Sequence, residues 1–386
     1  MNSALQATDR ATPVTPPGRA LAAVPLYLGM AAAGVGVALP GALLPAILLR
    51  WHLQDEQGGR LFLMAWIGSS LGALLVRRSL RKPLLFGNIA VALGALGLAF
   101  CSSREADVCM ALYGLGLGLT MTAISLIRQH QSGGSGTVLV RLNLLWAIGA
   151  CACPSLTIHA LRTGDIRPML LGLACCFAAL TAWTVFQPDL KPETSAKISH
   201  PWAIFGSVPV GLILMTLLVP GIEASAGGWL ATLARRGGHG IAEAVAAPSC
   251  FWAGLLLSRL FWSVCNRWRS DDWTVRASVA LMGAASVLLI ASGSASLILF
   301  AAFCLGFGIG PTYPLLLAWT LRFQQSGAIF FLAGVGAACL PWLTGAVSAQ
   351  RHSLRVGLAV PMTATMLMVM MSLVLPLNSW SSGDPR

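Results

Sequence analysis

Twelve long, strongly apolar stretches follow one another along this chain with only short polar interruptions. A helix needs roughly 20 apolar residues to cross the hydrocarbon core of a bilayer, and inside that core every backbone N–H and C=O must be bonded within its own segment. Runs of this length therefore predict a bundle of membrane-spanning helices. They fall at Leu21 to Leu49, Leu61 to Val76, Pro83 to Cys101, Val108 to Ile127, Leu142 to Leu161 and Pro168 to Phe186. After a polar segment, Gln187 to Pro201, six more come at Trp202 to Leu233, Ile241 to Val264, Val275 to Ala291, Leu297 to Leu321, Ala328 to Val347 and Val356 to Leu377. Charged residues make up 10% of the chain, against roughly 25% in soluble domains, too few to clothe a globule of this size in water.

The formal net charge of +12 raises the question of nucleic acid, but the 25 Lys and Arg are scattered over short loops and form no basic block. Their distribution is that of membrane topology, in which cytoplasmic loops hold the excess of Lys and Arg. With the N-terminus inside, most of the 25 fall on the cytoplasmic side, among them Arg77, Arg78, Arg81 and Lys82 between spans 2 and 3, Lys191 and Lys197 in the central linker, and Arg259 at the inner end of span 8. Arg50, Arg60, Arg235 and Arg236 remain outside. This orientation predicts a multi-pass protein of the bacterial inner membrane with both termini cytoplasmic, surrounded by lipid, with no nucleic-acid partner and acting as a monomer.

Residues 1–20 are polar and Pro-rich and read as a disordered cytoplasmic tail; the apolar stretch after them is far longer than a signal-peptide core, so it is kept as the first span. Residues 21–186 then form an N-terminal six-helix bundle, 187–201 a cytoplasmic linker, 202–378 a C-terminal six-helix bundle and 379–386 a short cytoplasmic tail. Most of the ten Cys lie inside apolar runs and none forms a CxxC pair, so they read as packing residues with no metal or cofactor attached. No HExxH, P-loop or dinucleotide fingerprint is present and the carboxylates are dispersed, which argues against an enzyme.

The two halves repeat each other. Gly114, Gly116 and Gly118 in span 4 return as Gly306, Gly308 and Gly310 in span 10, and Gly149, Ala150, Pro154 and Leu156 in span 5 return as Gly336, Ala337, Pro341 and Leu343 in span 11. Two motifs in the same order argue for a duplicated six-helix unit, and parallel halves related by an axis along the membrane normal are found in the major facilitator fold. The repeated glycines and prolines read as helix-packing positions, where small residues let backbones approach and slide.

Short motifs carry a more specific likeness. Arg141-Leu-Asn143 followed by Gly149, Ala150 and Pro154, the segment Glu223-Ala-Ser-Ala-Gly-Gly-Trp229, the run Leu39-Pro-Gly-Ala-Leu-Leu-Pro45 and Tyr313-Pro314 together resemble the fucose-permease-like and sugar-porter branch of the major facilitator superfamily. The resemblance implies an all-α membrane protein of two pseudo-symmetric six-helix bundles, with a cavity lined by spans 1, 4, 7 and 10. On those spans it selects Tyr27, Tyr113, Thr120, Thr122, Ser225, Thr312 and Tyr313 as polar candidates for substrate contact, with Trp146, Trp229, Trp252 and Trp319 adding flat faces on which a ring can stack. Arg141 and Asn143 become gating or inter-helix bonding candidates. The chain also departs from that branch: the loop Arg77-Arg-Ser-Leu-Arg-Lys82 has no Asp, span 1 has no carboxylate, and span 4 offers Thr120, Thr122 and Ser125 where the branch carries an acid. Fucose is therefore not carried over.

Ionisable groups inside a membrane cost about 2.5–3.5 kcal/mol each on insertion scales, so each is a functional candidate. Glu223, just after Pro220-Gly221 where a break in span 7 is expected, is the proton-coupling candidate. The reading that follows is a secondary active transporter, a proton symporter for a sugar-like or other small organic molecule. A drug or metabolite efflux antiporter of the same fold is the alternative.

Overall fold

The computed structural model describes residues 23–76, 79–132, 136–187, 208–265, 270–323 and 328–382. The expected N-terminal tail, Arg77 and Arg78, the linker beyond Gln187 with Lys191 and Lys197, and the last four residues of the C-terminal tail lie outside the described residues. Among those described, twelve helices are long and apolar enough to cross a membrane. They are α1 (Val24–Arg50), α2 (Asp55–Leu75), α3 (Arg81–Phe100), α4 (Ala106–Gln131), α5 (Val138–Thr163) and α6 (Arg167–Val185), then α7 (Val210–Arg236), α8 (Ile241–Trp262), α9 (Asp271–Ala291), α10 (Ala295–Phe323), α11 (Ile329–Arg351) and α12 (Leu354–Val374). A short α13 (Leu377–Ser382) follows.

Some helices outrun their apolar sequence. α2 starts at Asp55 rather than at Leu61, because the Gln57 side chain accepts the Gln54 N–H at 2.9 Å and Asp55 and Glu56 put negative charge on the positive end of the helix. α4 runs on past Ile127 to Gln131, with Arg128 and His130 at its negative end.

Successive helices alternate in direction. The face where α1 starts and α12 ends is called here the terminal face, and the other the far face. The contacts repeat between halves: α2 and α3 pack on α4, α1 on α5 and α3 on α6, and in the same pattern α8 and α9 pack on α10, α7 on α11 and α9 on α12. Arg81 at the start of α3 donates to the Thr184 and Val185 carbonyls at the end of α6, and Arg276 near the start of α9 donates to the Ser372 and Leu375 carbonyls at the end of α12. Each is a cation on the negative end of a helix, tying the last helix of its bundle to the third.

The repeated glycines explain how close these contacts are. Gly114 and Gly118, four residues apart, share one face of α4, where a Cβ would stand 1.9 Å from the Ala65 carbonyl oxygen and 2.0 Å from that of Ser69 on α2. Gly116 lies on the other face, against Gly87 and Val91 of α3. Gly306 and Gly310 meet Phe251, Leu255 and Ser258 of α8 while Gly308 meets α9, so each triplet wedges its helix between two others. Gly306→Val inserts atoms where the Phe251 carbonyl already stands at 2.0 Å from a Cβ. Overpacking of this kind costs about 1–3 kcal/mol, so the purified variant should melt several degrees below wild type in a thermal unfolding assay. An unchanged melting temperature would show that the helices separate freely here.

The outward surface carries Leu28, Phe86, Leu93, Phe300, Met370 and Leu373, all exposed. An apolar belt of this extent is compatible with lipid rather than water. The halves meet where α1 packs on α7, α2 on α11 and α5 on α8.

Candidate transport cavity

Between the two halves lies a cavity of about 290 Å³. Its walls come from α1, α2, α4 and α5 of the first half and α7, α8, α10 and α11 of the second, so α2, α5, α8 and α11 contribute as well as the four helices expected from sequence. Its charged and amide side chains are Glu223 on α7, Arg259 on α8 and Asn143 on α5, joined by the Tyr313 phenol on α10 and by Ser69 and Ser70 on α2. Aromatic faces come from Phe62, Trp66, Trp146, Trp252 and Phe330. Helical spacing brings them there: Pro220, Glu223 and Gly227 follow at intervals of three and four on α7, and Trp252 and Arg259 stand seven apart on α8.

α7 does not break at Pro220; the helix is continuous from Val210 to Arg236. This corrects the expected discontinuity. Proline lacks one N–H, which leaves one carbonyl of the preceding turn free, and a packed membrane helix carries that locally without unwinding. Arg259 likewise is not an interfacial cation at a helix end. It lines the cavity, with its Cζ 5.6 Å from the centroid of the Trp146 ring. Trp146 in turn meets Trp252 edge to face at 5.6 Å, so an aromatic pair bridges the halves at the cavity wall.

Toward the far face the halves are closed. Gly41 of α1 lies against Gly227 and Gly228 of α7, so closely that a Cβ would stand 2.1 Å from the Gly227 oxygen. Beyond it Arg236, at the end of α7, makes a bidentate ion pair with Asp55 at the start of α2, both N–O distances 2.6 Å. The Ser348 hydroxyl of α11 donates to the same Asp55 oxygen that Arg236 Nη1 reaches. Asp55 is buried, with 7% of its side chain exposed, whereas Arg236 keeps 46%. Nothing in the hydropathy pattern singled out Asp55. The only sequence signal was an acid at a helix start and a pair of arginines at a helix end on the same side of the membrane.

Of the residues selected from sequence, the cavity brings together Glu223, Trp146, Trp252, Tyr313 and Asn143. Most of the others lie between helices. Tyr113 is buried and donates to the Gly36 carbonyl at 2.6 Å. Thr120 donates to Asn88, whose amide reaches Thr184, linking α4, α3 and α6. Thr312 returns its hydroxyl to the Gly308 carbonyl, and Trp229 donates to the Pro341 carbonyl at 3.0 Å. Ser225 and Trp319 are fully buried, and Thr122 is part-buried on α4. Tyr27 accepts from Arg128 near the terminal face, with the guanidinium 4.8 Å from its ring centre. Arg141 is exposed on α5 outside the cavity, and the Pro154 carbonyl accepts the Thr157 hydroxyl where α5 turns. Trp66, Phe62, Phe330 and Arg259 are wall residues that sequence reasoning did not select.

No protein-family model and no curated protein matches the sequence. Solved structures do. The nucleoside transporter NupG, in the form of a point mutant, superposes with a TM-score of 0.69 over 93% of this chain and 99% of its own, at 12% identity. NupG without that substitution superposes at 0.68 over 91% and 96%, also at 12% identity. The fucose:proton symporter FucP of E. coli, likewise as a point mutant, gives 0.60 over 92% and 98%, again at 12% identity. This chain has the major facilitator fold. At that identity the likeness is one of fold alone. In this major facilitator fold the cavity is the space between the halves, with the Gly41 contact and the Asp55–Arg236 pair on its far-face side.

Proposed function

We propose that the chain is a secondary transporter that carries one small organic solute at a time across the membrane by alternating access, coupled to protons through Glu223. The observation that carries this reading is the cavity itself: it lies between two repeated bundles, is closed toward one face by an ion pair and a glycine contact, and has a single carboxylate among its lining residues. A closure made of one ion pair and one local glycine contact can part without unpacking either bundle, which is what rocking of the halves in alternating access requires. The structural neighbours are transporters for a nucleoside and for fucose, and a cavity of about 290 Å³ with stacking faces and a few polar groups suits a solute of that size.

The excess of Lys and Arg on the terminal side supports a cytoplasmic terminal face; in that orientation the Asp55–Arg236 pair lies on the external side and the cavity opens inward. Reporter fusions after Gln187 and at the C-terminus should therefore both report cytoplasm. In proteoliposomes, at least one small organic solute from a labelled panel of sugars, nucleosides and ring-bearing carboxylates should accumulate when a proton gradient is imposed and only equilibrate without one. Gradient-driven extrusion of amphipathic drugs with no movement of polar solutes would instead establish an efflux antiporter, and an external C-terminus would reverse the assigned orientation.

A further inference from the structure

The covered polar side-chain atoms of the cavity wall that lack a partner among the described residues are all donors. Trp146 Nε1, Trp252 Nε1 and two guanidinium nitrogens of Arg259, Nε and Nη1, are covered from solvent and have no hydrogen-bond partner among the described residues. Indole and guanidinium nitrogens donate and do not accept. The three side chains form one cluster, the two indole rings 5.6 Å apart and Arg259 Cζ 5.6 Å from the Trp146 centroid, with Trp146 9% and Trp252 3% exposed. Buried donors left without acceptors are costly, and most of all when one carries a charge. Such a cluster is a site for acceptor oxygens.

The counter-charge is also incomplete. Glu223 is the only carboxylate among the lining residues and lies within Coulombic reach of Arg259, yet among the described residues neither makes an ion pair at contact distance. Tyr313 is the third titratable group facing them, and every other lining side chain is neutral. Protonation of Glu223 thus leaves Arg259 as an uncompensated cation beside a solute-sized space.

We propose that the transported solute carries a carboxylate, which binds Arg259 and the Trp146 and Trp252 donors while Glu223 is protonated. The empty cavity then holds Arg259 and ionised Glu223, and the occupied cavity holds Arg259, neutral Glu223 and the solute anion, so both have the same net charge. Proton and anion stabilise each other's binding, and by reciprocity each raises the affinity for the other. A phosphate dianion would leave the site net negative, which selects a monocarboxylate. The aromatic faces around the cluster select a ring-bearing one.

The transport step rests on the function proposed above, whereas binding can be measured without it. With the detergent-solubilised full chain, nicotinate and benzoate should bind about tenfold or more tightly than nicotinamide and benzamide in isothermal titration, and each should take up about one proton per molecule in weakly buffered solution. Arg259→Gln should abolish the preference for the acid, and Arg259→Lys should retain part of it, since the charge persists without the planar fork. Equal or absent binding of acid and amide, or an acid preference that survives in Arg259→Gln, overturns the proposal. In proteoliposomes, uptake of neutral solutes alone would leave the transporter reading standing and remove this one, while tight acid binding with no flux would do the reverse.

Discussion

Glu223→Gln loses accumulation of solute against its gradient while keeping equilibrating flux. Gln holds the size and hydrogen-bonding reach of the carboxyl and removes only its titration. With one proton per solute, each pH unit of gradient supports about tenfold accumulation, or 1.36 kcal/mol, so the wild-type ratio should rise by that factor per unit while the variant stays near one at every gradient. Counterflow of labelled against unlabelled solute should persist, because exchange needs the cavity and the movement of the halves but no net proton transfer. Wild-type accumulation in a properly inserted Glu223→Gln protein would place the coupling at another group, and loss of counterflow as well would mean the residue holds the cavity together.

Asp55→Asn opens the far face. Asp55 is almost fully buried and serves both Arg236 on α7 and Ser348 on α11, so its charge joins α2 to two helices of the opposite half. Removing one member of a buried pair costs about 3–5 kcal/mol, whereas an exposed pair is worth about 0–1. With Arg236 nearly half exposed, about 2 kcal/mol is a reasonable middle figure, or roughly a thirtyfold shift between closed and open populations. Spin labels at the exposed positions Glu56 and Arg235, next to the ion pair on either half, should show one short distance in the wild type. A second, longer distance should appear in Asp55→Asn. Identical distance distributions in both would show that the glycine contact at Gly41 closes this face without help from the ion pair.

Both predictions depend on features that the sequence displayed unequally. The carboxylate was conspicuous because ionisable groups are rare in apolar runs, and Glu223 stands alone in the middle of its span. Asp55 was not, because it sits at a polar boundary where acids at helix starts are ordinary. Arg259 was visible as a residue but not as a site, since a long cation near the end of a span reads first as a side chain reaching for the interface. Only the placement of α8 against α5 turns it toward Trp146 and the cavity.

What the sequence by itself determined is the number of spans, their order and the duplication of six-helix units. Span length is matched to bilayer thickness and backbone bonding is internal to each helix, so both are local properties of the chain. The glycine triplets also declared close contacts, although not with which neighbours. Which side chains face the cavity was decided only by tertiary structure. A soluble helix shows its inner face as an apolar stripe, but these helices are apolar all round, so no stripe separates cavity from lipid or from a neighbouring helix. Thr312 and Tyr313 are adjacent in sequence and about 100° apart around α10: one returns its hydroxyl to its own helix within the packing, the other stands beside Glu223 and Arg259. That division depends on how α10 is rotated between α8 and α9, which the Gly306, Gly308 and Gly310 contacts establish only once the neighbouring helices are in place.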